Sequence, residues 1–210
     1  MVITYHGASY IRVSFGDITL AFNPISKDSK LKSVSFGSDV VLISLPDPDM
    51  NGAESASRGE REPFVISGPG EYEIKEVFIS GFSSPSQYGK KNRLNTIYLV
   101  SLEGMNICHL GALSSIELPH EAKEELDDID ILFLPIGGDG VLDPAEAHKL
   151  AVSLEPRLIV PVHFGEIGEK GALQKFLKEE GDEGLKPVEK LTVKKKDLEG
   201  KEGEIGELSS

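Results

Sequence analysis

What constrains the fold of this chain most is the order in which its hydrophobic pattern changes. Up to about residue 110 it reads as short alternating or buried runs, at residues 2–5, 10–15, 18–22, 40–44, 64–67, 72–79, 96–102 and 106–110. Turn residues punctuate these runs, and Gly16-Asp17 and Glu103-Gly104 fit tight hairpins. Helical segments then alternate with apolar strands. A helix is expected over 118–126, a strand over 129–134, a helix from Asp143 to before Pro156, a strand over 158–162 and an amphipathic helix over 171–180. Asp143-Pro144 supplies an N-cap followed by Pro at the first helical position. Strands first and strand–helix units later, around one core, predict two sheets sandwiched between helices. The fold class is therefore α/β (α+β by strict class) with αββα layering.

A length of 210 residues suits one domain, expected over 1–198 with a frayed tail at 199–210. Thr192 and its neighbours keep enough alternation for a last strand, with fraying from about Gly200. The net charge of −13 argues against binding nucleic acid or an anionic membrane surface, both of which require a basic face. Lys90-Lys91-Asn92-Arg93 is the local exception and reads as a solvated loop. Cys108 is the only cysteine, which excludes an intrachain disulfide and fits a reducing compartment. No signal-like or membrane-spanning run opens the sequence, so a cytoplasmic location is expected.

Residues 39–51 (DVVLISLPDPDMN) take a buried run into a polar, Pro-rich loop. The later stretches 64–73 (FVISGPGEYE), 95–98 (NTIY), 108–111 (CHLG) and 159–163 (IVPVH) follow in order. Together these five resemble the metallo-β-lactamase-fold superfamily, in its branch of small cytoplasmic metal-dependent hydrolases that includes ascorbate-phosphate-lactonase-like proteins. The resemblance covers about residues 1–198. It implies the αββα sandwich and a two-metal site at the strand ends.

In that family the loop after the first buried run reads His-x-His-x-Asp-His. Side chains two apart in an extended segment share a face, so such a spacing aims two imidazoles at one metal. By this resemblance Leu45 and Asp47 stand at the two leading His positions, Asp49 keeps the Asp, and Met50 replaces the last His. The loop expected before Asn95 carries Ser83-Ser84 in place of a third His. The bridging Asp after the run containing His109 is Ala112, while the late His survives as His163. The implied site is a vestigial pocket of Leu45, Asp47, Asp49, Met50, His109, Ala112 and His163, with Asp49 and His163 as the remaining metal ligands.

Four-ligand zinc sites bind with about 10–16 kcal/mol, or roughly 3 kcal/mol per ligand. Losing two ligands then weakens binding by about four powers of ten. The expectation is a homologue that has lost dinuclear hydrolysis and acts as a non-catalytic binding or regulatory domain, without a cofactor, for an unknown small molecule or protein. The alternative is a mononuclear hydrolase of a small phosphorylated or ester/lactone substrate, holding one divalent cation such as zinc or manganese. The sequence leaves the oligomeric state open.

Several residues carry plainer readings. His163 reads equally as a hydrogen-bonded core histidine, and Asp47 as a turn residue capping local N–H groups. Cys108 and His109 are adjacent on a strand and face opposite ways, so they do not form a catalytic pair. His120 and His148 are expected at the surface, and Glu71 near the pocket is unforced. The clusters at 68–70 and 137–140 lack phosphate-loop spacing and read as turns. His6 is displaced from its usual place in the family's Gly-His-Ala-Ser.

Overall fold

The first three strands form an antiparallel meander: β1 (Val2–Tyr5), β2 (Ile11–Phe15) and β3 (Ile18–Phe22). A computed structural model supplies this description, covering residues 1–59 and 62–209. Phe15 pairs with Ile18 across the expected Gly16-Asp17 turn. β4 (Val40–Leu42) and β5 (Phe64–Ile66) then join in parallel.

The second sheet starts with β6 (Gly70–Ile74), β7 (Val77–Ser86), β8 (Arg93–Leu102) and β9 (Met105–His109), all antiparallel. It is extended in parallel by β10 (Ile131–Pro135) and β11 (Leu158–Val162). The helices α1 (His120–Glu125), α2 (Pro144–Leu154) and α3 (Ala172–Glu180) lie in the connections. The chain then returns to both sheets. β12 (Leu191–Thr192) pairs with β1, and β13 (Glu204–Ile205) pairs with β11. The orders are β12-β1-β2-β3-β4-β5 and β13-β11-β10-β9-β8-β7-β6.

Ile3, Leu20 and Leu42 from the first sheet meet Val100, Phe133 and Val160 from the second in the main core. Outside the second sheet, Cys108, Leu132 and Ile159 pack under Ala122, Leu150 and Phe176 of the three helices. The outer face of the first sheet (Tyr10, Ala21, Val41) is covered differently. Ile25, Phe36 and the 3-10 turn Ala53–Ala56 lie on it, so mostly irregular chain does the covering there. The expected two-sheet α/β sandwich is thus present, with its long helices concentrated on one side.

Several expectations need correction. The single strand expected over 72–79 is a hairpin, because Lys75 and Glu76 both take positive φ and reverse the chain. Ser83 and Ser84 are not in a loop but inside β7, opposite Thr96 and Asn95. Beyond Gly200, where fraying was expected, β13 forms and Leu208 is buried. The start of α2 is as expected. Asp143 Oδ1 accepts from the Glu146 N–H at 2.8 Å, and Glu146 Oε2 accepts from the Asp143 N–H at 3.1 Å, a capping box worth about 1 kcal/mol. Among the described residues no helix is long and apolar enough to cross a membrane.

Candidate active site

The loops after β4, β9, β10 and β11 gather at one end of the sandwich. The contacts that join them are the Thr96 N–H to Ser44 O hydrogen bond (2.9 Å) and the Asn95 side chain. Asn95 Oδ1 accepts from the Ala112 N–H at 2.7 Å, and its Nδ2 donates to Leu110 O and Ser84 Oγ. Gly111 has φ +65, and a Cβ there would lie 2.3 Å from Asn95 Oδ1, so only glycine lets these loops meet.

After β4 the chain tightens into a turn. The Asp47 N–H donates to Leu45 O, the Met50 N–H to Asp47 O, and the Asp49 N–H to Asp47 Oδ1. The last bond is the local capping role expected of Asp47. This turn sorts the loop by polarity. Leu45 and Met50 point inward, fully buried, and join Ala112, Val141 and the ring of Tyr88 in one apolar cluster. Asp47 and Asp49 face outward on a cavity of about 310 Å³ that they share with Tyr88, Gly89, Lys90 and Asp139.

Each carboxylate is held in a different way. Asp47 Oδ2 accepts from Arg93 Nη1 at 2.7 Å, so its charge is already matched. Arg93 is therefore not simply part of a solvated loop. Asp49 accepts from the Ser29 hydroxyl on Oδ1 and from the Tyr88 hydroxyl on Oδ2, both at 2.5 Å. A carboxylate in apolar surroundings needs a charge partner or hydrogen-bond donors, most simply backbone N–H groups. Neutral hydroxyls fill that role instead and leave its negative charge unmatched. Burial, and next the hydrogen bond to Asp49, push the Tyr88 phenol well above its ordinary pKa, so it remains a donor.

His163 follows β11 in a left-handed conformation, φ +62, which a non-glycine residue adopts only when its surroundings enforce it. Its N–H donates to Ala8 O at 2.5 Å, and Gly137 packs so closely that a Cβ there would fall 2.1 Å from His163 O. Ser9 Oγ lies 3.2 Å from Nδ1, and the Tyr88 ring meets the imidazole edge-on with centroids 5.2 Å apart. Burial lowers the His163 pKa to about 4, although Asp49 pulls the other way, so the ring is neutral at pH 7.

His109 has a different fate from the one implied by the resemblance. It is fully buried and stacks on Phe22 at 5.2 Å. Nδ1 accepts from the Gly111 N–H, and Nε2 lies 3.4 Å from Ser9 O. Both nitrogens are used, and the ring serves the core. Cys108 faces the helix layer, as expected of a strand neighbour. His120 is exposed, but His148 is only partly so and pairs with Glu180 between α2 and α3. Glu71 lines a separate groove with Glu121, Glu124 and Glu125. His6 stands beside Tyr10 and Phe36.

The structure thus brings Leu45, Met50 and Ala112 together, with Asp49 and His163 linked through Tyr88. Sequence reasoning missed Ser29, Tyr88 and Asp139, none of which belongs to a recognisable spacing. Ser9 was visible within residues 6–9 without its role.

This donor set does not fit two metals. Apolar side chains fill the places where further ligands would stand, and among the described residues no three His, Cys, Asp or Glu converge to hold a metal. One cation is a different matter. For it the described residues offer Asp49 on the cavity and the buried, neutral His163 behind Tyr88, which touches both without bringing them into one opening.

Comparison with known proteins agrees with the architecture. A metal-dependent hydrolase of Bacillus licheniformis is 26% identical over 195 residues, covering 78% of this chain and 85% of that protein. Another, from Bacillus subtilis, is 26% identical over 78% of this chain and 86% of its own length. A metallo-β-lactamase-superfamily structure from Thermotoga maritima superposes with a TM-score of 0.74, at 24% identity and 99% coverage of both chains. At that identity it speaks for the fold. A metallo hydrolase structure from Ignicoccus hospitalis gives 0.61 at 20% identity, covering 92% of this chain and 99% of that one. The hydrolase relatives overturn two expectations: that this chain is a non-catalytic binding or regulatory domain, and that it works without a cofactor. With the β-lactamase superfamily domain matching residues 2–163, the chain belongs to that superfamily.

Proposed function

We propose that the chain is a mononuclear metal-dependent hydrolase of a small ester, lactone or phosphorylated substrate. The observation that carries this is Asp49 on the 310 Å³ cavity, joined through Tyr88 to the buried His163, within a family whose relatives are named metal-dependent hydrolases. A divalent cation, if held there by Asp49, would supply Lewis acidity and make a water molecule more acidic.

The protein's own groups do the rest. Asp49 offers a fixed negative charge, held by Ser29 and Tyr88. With Nδ1–H donating to Ser9 Oγ, Nε2 of His163 would be the nitrogen left with a lone pair. Asp47 is withdrawn from cation binding by Arg93. Lys90, on the cavity wall, supplies a cationic group that favours an anionic portion on the substrate. The apolar cluster beneath keeps water from the inner side. A small-molecule substrate in the cytoplasm, with no nucleic-acid or membrane partner, belongs to the same reading. The acidic charge and the single buried cysteine support it.

The test is hydrolysis of chromogenic phosphate ester, carboxylate ester and lactone substrates by protein reconstituted with zinc or manganese. The expected result is turnover that EDTA abolishes and that Asp49→Ala and His163→Ala each lower at least a hundredfold. Turnover by either variant at the wild-type rate, or in EDTA, would remove this assignment.

A further inference from the structure

We propose that the outer face of the second sheet at β6 and β7 is a docking surface for an amphipathic helix of a partner protein, one whose apolar stripe is flanked by lysine or arginine. The proposal is independent of the hydrolase reading, since the groove on this face shares no lining residue with the cavity at Asp49.

Strand register decides what the face displays. Residues directly opposite in an antiparallel pair share a face. Glu73, Phe78 and Ser101 form one such row across β6, β7 and β8, and Glu71, Ser80 and Leu99 form the next. Tyr72, Ile74, Val77 and Ile79 point the other way, into the core between the sheets. Further along the outer face, Cys108, Leu132 and Ile159 of β9, β10 and β11 lie under the three helices. That cover stops short of these two rows: Phe78 is 55% exposed and Leu99 is only partly buried. Strands spaced about 4.8 Å apart give β6, β7 and β8 a strip roughly 10 Å wide, the diameter of one more helix.

Charge says which helix fits. Glu71 and Glu73 stand exposed on β6, the edge strand of the sheet. Glu121, Glu124 and Glu125 of α1 line a groove of about 470 Å³ together with Glu71, Ser80 and Phe82. Among the described residues only Glu124 of these five carboxylates has a cationic neighbour, the exposed His120. Carboxylates bordering an apolar strip match a helix whose cationic side chains flank an apolar stripe. A second copy of this chain would bring the same carboxylates against these, and charges on an edge strand oppose self-pairing.

The experiment is fluorescence anisotropy of a labelled leucine–lysine peptide, with its leucines at helical spacing, titrated with the full chain. A companion peptide has the same composition in strict alternation, which favours a strand. Phe78→Asp, and the double variant Glu71→Lys with Glu73→Lys, alter exposed side chains, and circular dichroism verifies their folding. Glu189→Lys with Glu199→Lys makes the same change of charge at two exposed residues of the C-terminal segment. The expected result is binding of the helical peptide that weakens about tenfold in Phe78→Asp and in the β6 double variant. The C-terminal double variant should shift it less than about threefold. Undiminished binding by Phe78→Asp, or equal weakening by the two double variants, shows diffuse charge attraction and overturns the proposal. Tighter binding of the alternating peptide gives the β6 edge to an extended strand and overturns it too, as does failure of wild type to bind the helical peptide. Self-association of wild type in analytical ultracentrifugation, lost in Phe78→Asp, would assign the face to a second copy instead.

Discussion

Two carboxylates at opposite ends of the second sheet show how one residue type is used for two purposes. Asp130 lies just before β10 and is fully buried. Arg157 Nη1 reaches it at 2.9 Å, Lys195 Nζ at 2.6 Å, and the Asn106 N–H at 2.8 Å. Asp49, at the end where β11 delivers His163, is partly exposed and receives neutral hydroxyls from Ser29 and Tyr88. Among the described residues no cationic side chain pairs with it. The first carboxylate is neutralised and ties together the starts of the strands and the C-terminal segment. The second is oriented but keeps its charge, which is what a cation site requires. Burial alone would have picked out the wrong aspartate.

The largest effect of a substitution should therefore come from the structural carboxylate. Asp130→Ala removes the buried acceptor shared by Arg157, Lys195 and the Asn106 N–H and should cost about 2 kcal/mol, whereas Asp49→Ala should cost less than about 1 kcal/mol. Urea unfolding measures both. Similar losses for the two variants would dissolve the contrast.

Acid should attack the two ends unequally. Burial lowers the pKa of His109 to about 4, from an unfolded value of 6.5. The unfolded chain therefore takes up this proton at a higher pH than the folded one. The advantage of the neutral ring is complete above about pH 6.5 and is lost as pH falls towards 4, by about 3 kcal/mol in all. Amide exchange at Gly111, which donates to His109, should accelerate on acidification before that at Asn106, which donates to Asp130. The opposite order would place the weak point at the Asp130 end.

The smallest expected change sharpens the division of labour around Asp130. Lys195 is 42% exposed, so much of its interaction is screened by solvent, and Lys195→Ala should cost about 1 kcal/mol or less. A loss as large as that of Asp130→Ala would make Lys195, and not Arg157, the essential partner.

Much of this molecule could be read before its coordinates. The hairpin at Gly16-Asp17, the capped start of α2 and the buried run of β11 follow from local periods and caps, which act within a few residues. Five motifs in order also placed Leu45, Met50 and Ala112 as neighbours, because a fold maps aligned positions to one place whatever occupies them. The inference from their apolar chemistry went too far. Apolar residues at the two-metal positions do not by themselves mean loss of hydrolase function, since the relatives are named metal-dependent hydrolases.

Tertiary structure alone decided the partners. Nothing local tells that Ser29, Tyr88 and Asp49 meet, since 20 and 39 residues separate the two hydroxyls from the carboxylate. The same holds for Asp130, whose cations come from 27 and 65 residues away. The β6–β7 turn was missed because Lys75 and Glu76 are not usual turn residues, and their positive φ is enforced by the pairing of the flanking strands. By itself the sequence determined the periods, the caps and the family frame, all short-range or positional properties. Which carboxylate is neutralised and which keeps its charge depends on contacts between distant segments, and only the packed chain brings those together.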